Sequence, residues 1–91
     1  ISVDARFLVD PRTGDISRGI QLVRRAHALG LKVFTWTLRP ENQFLPLPFR
    51  SGDEPAAWGD YVTAWSAVMQ TNVDAVFADH PDLAIEVRNR L

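Results

Sequence analysis

Trp36 and Arg39 stand three residues apart where the apolar run LKVFTWTLRP (31–40) gives way to a charged, proline-rich stretch. An arginine guanidinium presents a planar fork of donors that fits a phosphate or carboxylate bidentately. A tryptophan offers a large flat face that either fills a core or packs on a ligand. Glu41 and Asn42 follow directly; they suit either ligand contact or stabilisation of the loop, since Asn readily bonds nearby backbone in turns. Asp79, His80 and Asp82 form the other polar cluster. His80 and Asp82 lack a third metal ligand at suitable spacing, and Asp79 is better placed to cap the next helix or hold a neighbouring loop. His27, between Ala26 and Ala28, reads as a surface or satisfied histidine, and Trp58, Tyr61 and Trp65 as core or interface residues.

The elements that must position these residues follow from periodicity. Val33, Phe34, Thr35, Trp36 and Thr37 have the composition of a strand covered on both faces of a parallel sheet. Alternation puts Phe34 and Trp36 on one face and Val33, Thr35 and Thr37 on the other. Trp36 and Arg39 then lie at the strand's carboxyl end, where parallel α/β folds bind ligands. Upstream, Ile1 to Val3 suits the tail of a strand, and the following segment to Ser17 a loop. Ser17 or Asp15 can cap a helix running to about Leu29, with Gly30 as its terminator. Pro40, Pro46, Pro48, Pro55 and Gly52 forbid a long regular element after the strand, and a loop of this length is functional or disordered. Trp58, Tyr61, Val62, Trp65, Val68 and Met69 recur at helical spacing, which predicts a helix over 56–71 with a buried aromatic face, closed by Asn72 in a left-handed conformation. A short strand in DAVFAD (74–79) leads through Pro81 into a final helix.

Composition narrows the partners. Ninety-one residues allow one small domain, 46% hydrophobic and 23% charged, without an apolar run near the ~20 residues of a transmembrane segment. The net charge of -1 offers no basic footprint for nucleic acid or an anionic membrane. Without cysteine, disulfides and thiolate metal sites are excluded. The opening ISVDARF has neither the basic start nor the apolar h-region expected of a signal peptide.

The segments AHALGLKVFTWT and VMQTNVDAVFADH look like two copies of one helix-to-strand joint, hence α/β repetition with parallel strands and helices outside. Two such strands do not complete a sheet. The expected architecture is the C-terminal βα units of a (β/α)8 barrel, which needs ~250 residues and is incomplete in this chain.

GLKVFTWTLRPENQFLP followed by NVDAVFADHPDLAIE resembles the C-terminal end of the glycerophosphodiester phosphodiesterase family, whose fold is a TIM barrel. The resemblance spans about Ala26 to Leu91, and treats 1–91 as the C-terminal fragment of that domain. Arg39, Glu41, Asn42, Phe44 and Leu45 are similar to the branch containing periplasmic bacterial and plant enzymes, which implies a periplasmic or secreted setting. Asn72, Ala75 and Ala78 depart from the usual Gly, Gly and Thr. The resemblance implies hydrolysis of glycerophosphodiesters to glycerol 3-phosphate and an alcohol, in lipid metabolism, assisted by a divalent cation (Ca2+ or Mg2+). It implies that the catalytic histidines and acidic metal ligands lie upstream, that His27 and His80 match neither catalytic motif, and that Trp36, Arg39 and Asn42 contact substrate. An isolated chain is then expected to be inactive and to associate with the remainder of the barrel or with itself. The alternative is a small α/β binding or interaction module without catalysis; a Gly-rich phosphate turn after a strand, expected of a doubly wound domain, is absent.

Overall fold

The alternating apolar runs become a three-stranded parallel sheet in the computed structural model, which describes residues 1–91. Strands β1 (Ser2–Asp4), β2 (Phe34–Leu38) and β3 (Ala75–Ala78) lie in the order β1-β2-β3. Ser2 sits opposite Phe34, and Phe34 opposite Ala75. Helix α1 (Ser17–Ala28) connects β1 to β2, α2 (Tyr61–Gln70) connects β2 to β3, and α3 (Pro81–Asn89) follows β3.

All three helices contribute to one core. Val23 and Ala26 of α1, Ala64, Trp65 and Val68 of α2, and Ala84 and Val87 of α3 are buried in the same apolar cluster as Val33 and Leu38. Thr35 is fully buried on this side of β2, its hydroxyl donating to the Val3 carbonyl at 2.9 Å, so no polar group is left wet or orphaned there. The opposite face carries Phe34, Trp36 and Phe77, exposed by 37%, 44% and 57%. The both-face cover implied by β2's composition is therefore present on one face only.

Four expectations are corrected in detail. The helix expected over 56–71 begins at Tyr61. Glu41 and Trp58 form an antiparallel bridge, which holds the preceding residues in extended backbone, and Asp60 caps the helix by accepting from the Thr63 N–H at 3.1 Å. The aromatic periodicity nevertheless runs through Trp58, because its ring packs edge-on to Tyr61 at 5.7 Å and to His80 at 5.3 Å. That face is not wholly buried: Trp65 is inside, Trp58 half-exposed. On β2 the alternation slips after Thr35. Three residues there face two of β3, so Leu38 rather than Thr37 enters the core. At the start of α1, Ile16 holds the cap position without a side-chain bond, while Asp15 accepts from both the N–H and the hydroxyl of Ser17. Gly30 and Asn72 do close their helices with positive φ, +76° and +71°.

One glycine is required by packing rather than conformation. A Cβ on Gly19, within α1, would fall 2.8 Å from the backbone Cα and carbonyl carbon of Leu8. Helix propensity favours Ala over Gly by about 1 kcal/mol, whereas forcing α1 off the Leu8 backbone costs about 1–3 kcal/mol. Gly19→Ala is accordingly expected to destabilise the chain, read as a lower denaturant midpoint at constant slope.

At the amino-terminal edge of the sheet, Asp74 ties three elements together. Its carboxylate accepts from the Val33 N–H at 2.7 Å and lies 2.8 Å from His27 Nε2 on α1. The Val33 amide and then the His27 ring hold the Asp74 carboxyl below its usual value of 3.8. Asp4 and Asp15 are lowered as well, chiefly by Arg6 and Ser17 respectively. A depressed folded-state value means stability that is present above 3.8 and lost as the pH falls through the lower folded value. Melting temperature should therefore drop below pH 3.8, and Asp74→Asn should flatten that drop.

Candidate functional site

The carboxyl ends of β1 and β2 open into a cavity of about 680 Å3. Its walls are the segment after β1 and the loop after β2; its floor is α2 through Ala64, Trp65 and Val68. Trp36 and Arg39 both line it.

The post-strand loop that carries Arg39 is ordered by its own backbone. The Asn42 N–H donates to Ala57, the Gly59 N–H to Pro40 and the Asp60 N–H to Phe49, at 2.8, 3.0 and 2.8 Å, and two short 3₁₀ turns at Asn42–Phe44 and Leu47–Phe49 fill the remainder. The prolines prevent a long element, as expected, but the loop is built rather than loose.

Arg39 Nε approaches Asp79 Oδ2 at 3.2 Å, and its guanidinium lies 4.9 Å over the Phe44 ring. Asp79 thus holds the neighbouring loop and does not cap α3 through its side chain; His80 occupies that cap position without a side-chain bond. Arg6, on the opposite wall, grips Asp4 through Nε and Nη2 at 3.2 and 2.9 Å, and its own amide donates to the same carboxylate at 2.8 Å. Arg50 lines the cavity too, its Nε donating to the Leu45 carbonyl at 2.9 Å.

Asn42 is occupied differently from the substrate contact expected of it. It is 3% exposed, lies outside the cavity lining, donates to the Ser51 and Glu54 carbonyls at 2.8 and 2.9 Å, and accepts from the Ser51 N–H at 2.8 Å. It staples the loop. Glu41, its neighbour, has Oε2 buried without a hydrogen-bond partner. The Asp4–Arg6 pair and Arg50 were not singled out from sequence. The available signal was a second arginine, Arg50, in the same loop as Arg39, and the short i to i+2 spacing of Asp4 and Arg6.

No three His, Cys, Asp or Glu side chains come close enough to hold a metal ion. Both carboxylates at the cavity rim, Asp4 and Asp79, are engaged by arginines. The residues present here do not fit a divalent cation site.

The family model for the glycerophosphoryl diester phosphodiesterase family matches residues 5–83, which include the segment after β1, the loop after β2, and strands β2 and β3, but not β1. The chain belongs to that family. No curated protein and no solved structure matches it. The family fold is a TIM barrel, and a three-stranded parallel sheet with three helices is consistent with part of one. At the level of the family the activity is phosphodiester hydrolysis, and members generally depend on a divalent cation. No helix is long and apolar enough to cross a membrane.

Proposed function

We propose that this chain forms one wall of the substrate pocket of a metal-dependent enzyme that hydrolyses glycerophosphodiesters to glycerol 3-phosphate and an alcohol. The observation that carries the reading is the cavity at the strand ends, lined by Trp36 and Arg39, in a member of this family. Trp36 packs on the glycerol; Arg39, braced by Asp79 and Phe44, faces the phosphate or secures the loop closing over it. Phosphodiester hydrolysis also needs a cation to neutralise phosphate oxygens and a proton donor for the leaving alcohol. Those groups come from residues outside these 91, so the chain is the C-terminal part of the barrel and is inactive alone.

The open sheet face and the unpaired outer edges of β1 and β3 support cover by further strands of the same barrel, since bare edges and aromatic faces are unfavourable in water. Self-association is the fallback when those strands are absent. The test is direct. The complete protein should release glycerol 3-phosphate from glycerophosphocholine, stop on chelation and recover with Ca2+ or Mg2+; the 91-residue chain should give none. Turnover by the chain alone, or no turnover by the complete protein with any glycerophosphodiester, overturns the reading. A non-catalytic binding module remains only in the second case.

A further inference from the structure

Charge around the cavity is unevenly compensated. Arg6, Arg39 and Arg50 line it against a single lining carboxylate, Asp4, giving 3 − 1 = +2, in a chain whose net charge is -1. Asp79 neutralises Arg39 from just outside the lining, which leaves one surplus cation. That cation is Arg50. Arg6 is paired with Asp4 at 2.9 Å and Arg39 with Asp79 at 3.2 Å, whereas Arg50 has no carboxylate within ion-pair distance. Its Nε is spent on the Leu45 carbonyl, and neither Nη nitrogen has a protein acceptor.

This arrangement separates two tasks within one side chain. The Nε bond spans the 3₁₀ turn at Leu47–Phe49 and fixes where the guanidinium stands. Arg50 is exposed at the cavity, and its Nη edge keeps four N–H donors without a protein acceptor, open to water or to a ligand. A doubly donating guanidinium edge matches two oxygens of a phosphate.

We propose, resting on the phosphodiesterase reading, that the Nη edge of Arg50 binds a phosphate oxyanion in this cavity, in addition to any contact made by Arg39. The oxyanion is either that of the scissile diester or a second phosphate on the leaving alcohol. Arg50 contacts ligand and takes no part in proton transfer.

The test uses the complete protein with Arg50→Gln, Arg50→Lys and Arg50→Ala. Gln keeps a donor for the Leu45 carbonyl and loses the charge; Lys keeps the charge and loses the fork. Calorimetric titration with glycerol 3-phosphate reads binding independently of turnover, and kcat/KM is compared for glycerophosphocholine and glycerophosphoinositol phosphate. Arg50→Gln should weaken glycerol 3-phosphate binding about 10- to 100-fold with an unchanged melting temperature, and Arg50→Lys should recover only part of it. Equal losses of kcat/KM on both substrates assign the scissile phosphate; a loss confined to glycerophosphoinositol phosphate assigns a second anion. Binding that depends on Arg50 in a protein without turnover keeps the proposal and removes the phosphodiesterase reading. Wild-type binding and turnover in Arg50→Gln, or losses in all three variants matched by falling melting temperature, overturn the proposal.

Discussion

Trp65→Ala is expected to lower the unfolding free energy by about 3–5 kcal/mol, the range for truncating a large buried aromatic. Trp65 is 2% exposed, packs at 4.8 Å against Tyr61, and forms both the core beneath the sheet and the floor of the cavity. Small domains have about 5–15 kcal/mol to lose, so this one change should leave a large unfolded fraction. Trp65→Phe, which retains most of the apolar volume, should cost appreciably less. Denaturant titrations at constant slope measure both. A loss for Trp65→Ala below that of Gly19→Ala would mean that the core is not organised around this ring.

On the proposed reading, Trp36→Ala and Arg39→Ala in the complete protein are each expected to lower kcat/KM roughly 30- to 1000-fold, about 2–4 kcal/mol of transition-state stabilisation for desolvated contacts. Both residues line the cavity at the strand ends, and neither belongs to the buried core. Loss of Arg39 should therefore leave stability nearly untouched, because its pair with Asp79 is surface-exposed and such pairs contribute about 0–1 kcal/mol. Arg39→Lys should rescue poorly, having charge but no planar fork. Phe34→Leu, on the same sheet face as Trp36, serves as the packing control. Near-wild-type efficiency, or losses matched by equal losses of thermal stability, would return Trp36 and Arg39 to structural roles.

A companion prediction follows from Asn42. Since its amide is closed on Ser51 and Glu54, Asn42→Ala should act by loosening the loop, raising KM and lowering stability together, unlike Arg39→Ala.

The amino-acid sequence by itself determined the helix-to-strand joints, because 3.6- and 2-residue periodicities, Gly30 and Pro81 are local signals read over a few residues. It also determined that Trp36 and Arg39 leave the sheet at a strand's carboxyl end, since strand direction and spacing suffice for that. Where α2 begins was not legible: Trp58 keeps the helical spacing while the Glu41–Trp58 bridge, a pairing across 17 positions, holds it outside the helix. The slip of alternation on β2, which buries Leu38, is likewise set by pairing to β3 and not by β2's own residues. The occupations of the polar side chains were decided only by tertiary structure. Asn42 and Arg50 have similar loop surroundings in sequence, yet one has its hydrogen-bonding groups spent on backbone brought back by the loop, and the other keeps a free guanidinium edge at the cavity. Which donors are satisfied depends on distances between residues far apart in the chain, and periodicity carries no information about those.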